Sequence, residues 1–230
     1  MAAPAGRCTR EPLRGAPSRY ARVVRRLLFL VLLIPVAMGT VALPGGEASP
    51  PAASAATCGV ERWDVKTLSD PKVGDVNFTP HDTSVGRLRN KDAPKVGKHT
   101  PRIDGVETTT YRVRARLLEF KFEDDRDVHL VVGVPSAPAK TMIVEFPDPT
   151  CPGAKDSSKK ARMASARSAL IKSCGKPPSA SSNFRDLKGT ATVTGVGFFD
   201  VIHGQTGVAP NGIELHPVLR FSNASCEPAS

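Results

Sequence analysis

The chain is 230 residues long, carries a formal charge of +10 and is 5% aromatic. That length allows one or two domains. Much of the charge lies in the first residues, so it does not by itself argue for nucleic acid, and the few aromatics exclude a broad base-stacking platform.

Residues 1–56 read as a secretory signal. Seven arginines from Arg7 to Arg26 face one acid, Glu11; an apolar run spans Leu27 to Leu43; the small-residue stretch EASPPAASAAT follows. A basic n-region, an apolar h-region and an Ala-rich cleavage site make such a signal, with cleavage expected after Ala55 or Ala56. The alternative is an uncleaved membrane anchor over residues 27–43, although a 17-residue span containing Pro35 is marginal for crossing a bilayer. A twin-arginine signal matches only loosely at Arg25–Phe29. Rich use of Ala, Arg, Pro and Gly points to a GC-rich bacterial source. The exported chain then starts near Thr57 and holds 25 basic against 20 acidic residues, a formal charge of +5. Such a charge aids solubility and suits anionic surfaces such as cell wall or another extracellular polymer.

Cys8 leaves with the signal, and Cys58, Cys151, Cys174 and Cys226 remain. An even number in an exported chain implies two disulfides. Of the three pairings, Cys58–Cys226 would tie the two ends and Cys151–Cys174 would flank one helix, and this pairing is the favoured one. No pair has the close C-x-x-C spacing of zinc sites.

Residues 57–107 form an irregular N-terminal arm, rich in Pro, Gly, Asp and Lys. Within it Thr83 or Ser84 can cap a short helix that docks Val85 and Leu88, and Trp63 is expected to anchor the arm by burial. From Thr108 to Phe122 the sequence TTTYRVRARLLEFKF alternates, with Tyr111, Val113, Ala115 and Leu117 on one face and Arg112, Arg114 and Arg116 on the other. Period two predicts a strand. Val128–Val134 and Thr141–Phe146 are the next two strands. A helix follows over residues 157–174, capped by Asp156 or Ser157 and stopped by Gly175, with Met163, Ala166, Leu170 and Ile171 inward and its basic residues solvated. Residues 189–202 make the fourth strand, in which Gly195 and Gly197 predict a bulge. Residues 212–221 make the fifth. The order β-β-β-α-β-β over residues 108–230 predicts a mainly β protein with one helix, an OB-like five-stranded barrel, with an α+β sandwich as the alternative.

In an OB-like barrel the loops 121–127 and 203–212 would flank one surface. Glu123, Asp124, Asp125 and Asp127 against Arg126 make the first loop acidic, which repels nucleic acid. Alternation places Val128, Leu130, Val132, Ile213 and Leu215 inward, and so directs Asp127, His129, Glu214 and His216 to the barrel exterior. Glu145 joins from the third strand, and Asp200 and His203 close the fourth. Candidate ligand-binding residues are therefore Asp127, His129, Glu145, His203, Gln205, Asn211, Glu214 and His216. Imidazole and carboxylate together suit zinc, iron or manganese, or general acid–base chemistry. They serve equally as cross-strand polar pairs, and Asn211-Gly212 is a strong turn dipeptide. No EF-hand, G-x-S-x-G, H-E-x-x-H, P-loop or G-x-G-x-x-G motif occurs in the exported chain, so the motifs imply no cofactor and no catalytic residue.

The stretches ETTTYRVRARLLEFKFEDDRDVHLVV, TMIVEFPDPTC and VTGVGFFDVIHGQTGVAPNGIELHPVL resemble small exported bacterial proteins of unknown function with an OB-like domain. The resemblance covers about Cys58 to Cys226 and implies no activity. Against staphylococcal-nuclease-type OB enzymes, the arginine-plus-acid calcium site has no convincing counterpart, so no residue is carried over. Two functions are expected to compete. One is a secreted, disulfide-stabilised binding module gripping an unidentified ligand near loops 121–127 and 203–212. The other is a metal-dependent extracellular hydrolase using His129, Glu145, His203, Glu214 and His216.

Overall fold

The computed structural model describes residues 57–59 and 61–228. The expected signal and the alternative anchor lie outside the described residues. Among these, no helix is long and apolar enough to cross a membrane.

The fold is mainly β, with six strands and three α-helices among the described residues. In chain order these are α1 (Trp63–Thr67), a 3-10 turn (Val73–Asp75), β1 (Asn77–Thr83), α2 (Val85–Arg89), β2 (Thr109–Phe122), β3 (Val128–Val134), β4 (Ala137–Phe146), α3 (Lys160–Cys174), β5 (Arg185–Phe199) and β6 (Ile213–Pro228). From β2 onward the order is the expected three strands, helix and two strands. The strands extend further than the alternation suggested: β4 begins at Ala137, β5 at Arg185, and β6 runs on to Pro228. Long antiparallel pairing draws polar residues such as Asp186, opposite Glu119 of β2, and Lys188, opposite Glu227 of β6, into the ladder, where backbone hydrogen bonds rather than side-chain pattern hold them.

The sheet order is β1-β2-β3-β4-β6-β5, and β2 also pairs with β5. β4 and β6 run parallel, as do β1 and β2, and all other pairs are antiparallel. Register shifts fall at Gly195 and Gly197, as the glycines predicted. A Cβ at Gly197 would lie 2.5 Å from the Val106 carbonyl oxygen, so only glycine lets the arm approach the strand there. One core joins Val85 and Leu88 of α2 to Val113, Leu117, Phe120, Leu130, Val132, Phe146, Leu170 and Leu215. A second, smaller cluster places Leu68, Val76 and Ala154 with Met163, Val196 and Leu219.

The arm is less irregular than its composition implies. It supplies α1 and β1, and Ser84 Oγ caps α2 by accepting from Arg87 N at 3.2 Å. Two buried Arg–carboxylate pairs fix it. Arg62 donates to both oxygens of Glu107, at 2.8 and 2.6 Å, and to the carbonyls of Thr100, Pro101 and Phe199. Glu107 accepts in addition from Ile103 N and Phe199 N. Arg102 donates to Asp70 and to the carbonyls of Glu107 and Val65. Charges removed from water are tolerated only when engaged in this way. Trp63 is half-buried rather than buried: it packs on Gly59, and its indole N–H donates to the Pro152 carbonyl at 2.6 Å.

The helix and the disulfides correct two expectations. Neither Asp156 nor Ser157 is the N-cap of α3; the cap is Lys159, whose own N–H donates to Ser157 Oγ at 3.2 Å. Ile171 is half-buried, while Met163, Ala166, Leu170 and Cys174 carry the inward face. The disulfides are Cys58–Cys151 and Cys174–Cys226, not Cys58–Cys226 and Cys151–Cys174. The arm runs to the loop after β4, and β6 continues past the end of α3, so proximity in the fold replaces proximity along the chain. Two disulfides fit an oxidising compartment.

Candidate functional site

The turn after β2 is tight: Glu123 N donates to the Asp127 carbonyl at 2.9 Å and Arg126 N to the Glu123 carbonyl at 3.0 Å. Asp125 accepts from Asp127 N at 3.1 Å and Arg126 adopts a positive φ of 76°. The loop after β5 is held by its own side chain. Gln205 accepts from His203 N at 2.9 Å and donates to the Val201 carbonyl at 2.8 Å and to Asp200 at 3.2 Å. Gly207, at φ +81°, lies against Val131, where a Cβ would come within 2.4 Å of the valine side chain. The two loops meet. His129 Nε2 donates to the Thr206 carbonyl at 2.9 Å, and residues of both loops line one cavity of about 390 Å³. Glu123, Asp124, Asp125, Glu145 and Asp200 face it against Lys66, Lys121, His129 and His203, with Phe184 the aromatic wall.

Strand pairing gathers the acid and histidine side chains. His129 of β3 stands opposite Glu145 of β4, and β4 runs beside β6 with Ile143 paired to Glu214 and Val144 to Leu215. The expected direction of these side chains needs correction. Asp127, His129, Glu145, Glu214 and His216 lie on the second face of the strands as alternation requires, but all five are buried. Period two separates two faces without saying that one meets water. Here α1, the arm and the 203–208 loop cover the second face: Arg62 and Lys66 sit over Phe198, and Gly207 sits on Val131. Every residue of β3 from Val128 to Gly133 is buried.

The result is an alternating line of acid and base. Asp127 lies 3.3 Å from His216 Nε2; His216 Nδ1 lies 2.9 Å from Glu145; Glu145 lies 3.2 Å from His129 Nδ1; His129 Nδ1 lies 3.3 Å from Glu123. Glu214 stands further off, 4.0 Å from His216. His129 donates through Nε2 to a carbonyl, so its Nδ1 can donate to Glu145 and Glu123 only as an imidazolium. Burial alone would lower its pKa, but Glu145 and Glu123 raise it. His216 is likewise opposed by burial, yet its contacts with Asp127 and Glu145 raise it to about 9. Burial opposes ionisation of Glu145, but the two histidines and Lys66 hold it well below the usual carboxylate range. Burial and the charges of Glu145 and Asp200 push Glu214 well above that range. Asp125 rises to about 7 through burial and its neighbours Asp127 and Glu145. Lys66, despite burial, is held protonated by Glu145 and Asp200, the latter 3.8 Å away.

Of the candidate residues, His129, Glu145, His203 and Gln205 line the cavity, while Asp127, Glu214 and His216 are not among its lining residues. Asn211 is elsewhere: it donates to the carbonyls of Leu88 and Lys91 at 3.0 Å and so closes the end of α2. Lys66 and Phe184 escaped the sequence reading because arm and linker residues carry no periodic signal; the apolar Val131 and Ile143 on the polar-looking face were the available sign of a covered surface. A second cleft of about 500 Å³ is lined by Arg112, Arg114, Arg162 and Arg220 with Thr192 and Thr194 among its other residues. Comparison of the chain with protein-family models, with curated proteins and with solved structures gave no match.

Proposed function

We propose that this chain is an exported, disulfide-stabilised binding protein whose ligand enters the cavity between residues 121–127 and 203–206. The observation that carries it is the convergence of these loops on one acid-rich cavity of about 390 Å³. Five carboxylates beside two lysines and two histidines favour a cationic or hydroxyl-rich ligand over a polyanion, and Phe184 offers a ring face for an amine or a sugar. The pairings β2–β3, β3–β4, β4–β6, β6–β5 and β5–β2 support an OB-like five-stranded barrel beneath this cavity. The second cleft supports an anionic cell-wall or extracellular polymer as partner, because arginine suits bidentate oxyanion contacts.

The test is a backbone amide NMR titration of residues 57–230 with cationic peptides and neutral oligosaccharides. Shifts confined to residues 121–127, 184 and 203–206, and removed by Asp124→Lys, are expected. Shifts confined to other surfaces would overturn the assignment of the ligand to this cavity.

A further inference from the structure

Beneath the cavity, Asp127, Glu145 and His216 each place one donor atom within 4.8 Å of the other two. His216 meets the two carboxylates through different ring nitrogens, Nδ1 at 2.9 Å from Glu145 and Nε2 at 3.3 Å from Asp127, and an ion bound here takes only one of the two. Two carboxylates and an imidazole form a donor set for a first-row divalent ion.

A second observation is independent of that convergence. Both ring nitrogens of His216, Asp127 Oδ2 and Glu214 Oε2 are buried and have no hydrogen-bond partner, since the contacts of His216 have ion-pair distances without hydrogen-bond angles. Buried polar atoms are normally satisfied, and one ion would engage Asp127 Oδ2 together with one of the two ring nitrogens of His216. The remaining atoms of the cluster are, by contrast, engaged. Asp127 Oδ1 accepts from Asp148 N at 3.0 Å, and Glu145 Oε1 meets His129, whose other nitrogen is fixed by the Thr206 carbonyl. One oxygen of each carboxylate is thus held from outside while the other is left toward His216, the arrangement by which surrounding groups orient metal ligands. Glu145 reaches the cavity wall, which gives an ion a route in.

We propose that Asp127, Glu145 and His216 bind one divalent transition-metal ion, with Glu214 beside them and His129 orienting Glu145. The competing arrangement is an imidazolium between two carboxylates with no metal. The inference goes beyond the ligand cavity and does not depend on it, because the probe is the metal alone.

The test uses the exported chain with both disulfides intact, stripped with chelator and titrated with Zn²⁺, Mn²⁺ and Co²⁺. Binding of one equivalent is expected, with a Co²⁺ absorption spectrum of a nitrogen–oxygen site and a rise in melting temperature. Glu145→Gln is expected to weaken binding at least 100-fold, and Asp127→Asn equally if it folds. His203→Ala, at an exposed position, is expected to change it less than threefold. Absence of stoichiometric binding by the wild-type chain would overturn the proposal without need of any variant. So would binding that survives Glu145→Gln and is lost in His203→Ala, which would locate the ion at the surface.

Discussion

Arg62 and Glu107 carry opposite charges that are both out of water and both saturated with donors or acceptors. Such a pair matters most when one partner is removed. Arg62→Ala should destabilise the protein by about 3–5 kcal/mol in denaturant unfolding, because Glu107 would be left charged and buried. The double variant Arg62→Met, Glu107→Leu should recover much of that loss; a double variant as damaged as the single ones would show that packing, not charge, sets the cost. His216 titrates in a definite direction. Its folded pKa of about 9 stands above the ordinary 6.5, so its contribution is complete below pH 6.5 and is lost as pH rises through 9. Asp125, raised to about 7, likewise favours the folded state in its protonated form and loses that contribution between about pH 4 and 7. Chelator-treated protein should therefore lose on the order of 3 kcal/mol between pH 6.5 and 9, and His216→Gln should flatten that slope. An unchanged slope in the variant would remove His216 as its source. The identity and shared face of these residues were legible in the sequence. Their burial was not, because alternation records which side a residue takes and not what lies over that side.

At the level of elements, β2 and β3 were readable because clean alternation or a short apolar run is a local signal. β1 was not: NFTPHDT has neither, and it exists because its backbone pairs in parallel with β2. The 203–212 loop splits into separate tasks, with Gln205 organising the turn, Gly207 seating it on Val131 and Asn211 closing α2. Gly207→Ala should lift the loop from β3, since a Cβ has no room there and the backbone is left-handed. Hydrogen exchange should accelerate over residues 203–208, with a stability loss of about 1–3 kcal/mol; unchanged exchange would mean that the loop is held elsewhere.

For the whole molecule, the disulfides close loops of 93 and 52 residues in sequence separation. Cys58→Ser with Cys151→Ser should cost about 4–5 kcal/mol on a chain-entropy basis, read from denaturant midpoints in oxidising buffer. A change below 1 kcal/mol would mean that the buried Arg62 and Arg102 pairs already fix the arm. The arginine-lined cleft predicts salt-dependent retention on an immobilised polyanion such as polyphosphate. Arg114→Glu with Arg220→Glu should lower the eluting salt concentration, whereas Asp124→Lys should not; equal elution of wild type and the arginine variant would remove the cleft from this role.

The sequence by itself determined the strand-rich class, the order of the three strands, helix and two strands, the glycine bulge in β5, and the common face of Asp127, His129, Glu145, Glu214 and His216. Each follows from periodicity or from glycine's freedom, which act over a few residues. Only the tertiary structure decided the disulfide partners, the buried arginines of the arm, the parallel seam between β4 and β6, and the cover over the acid–histidine line. These depend on segments distant in sequence that meet because each buries a surface the other exposes. His216 shows the division most plainly. Its place on β6 was written in the alternation, while its contacts with Asp127 and Glu145, and its removal from water, came from β4 running alongside and from cover that the arm and the 203–208 loop place over that face.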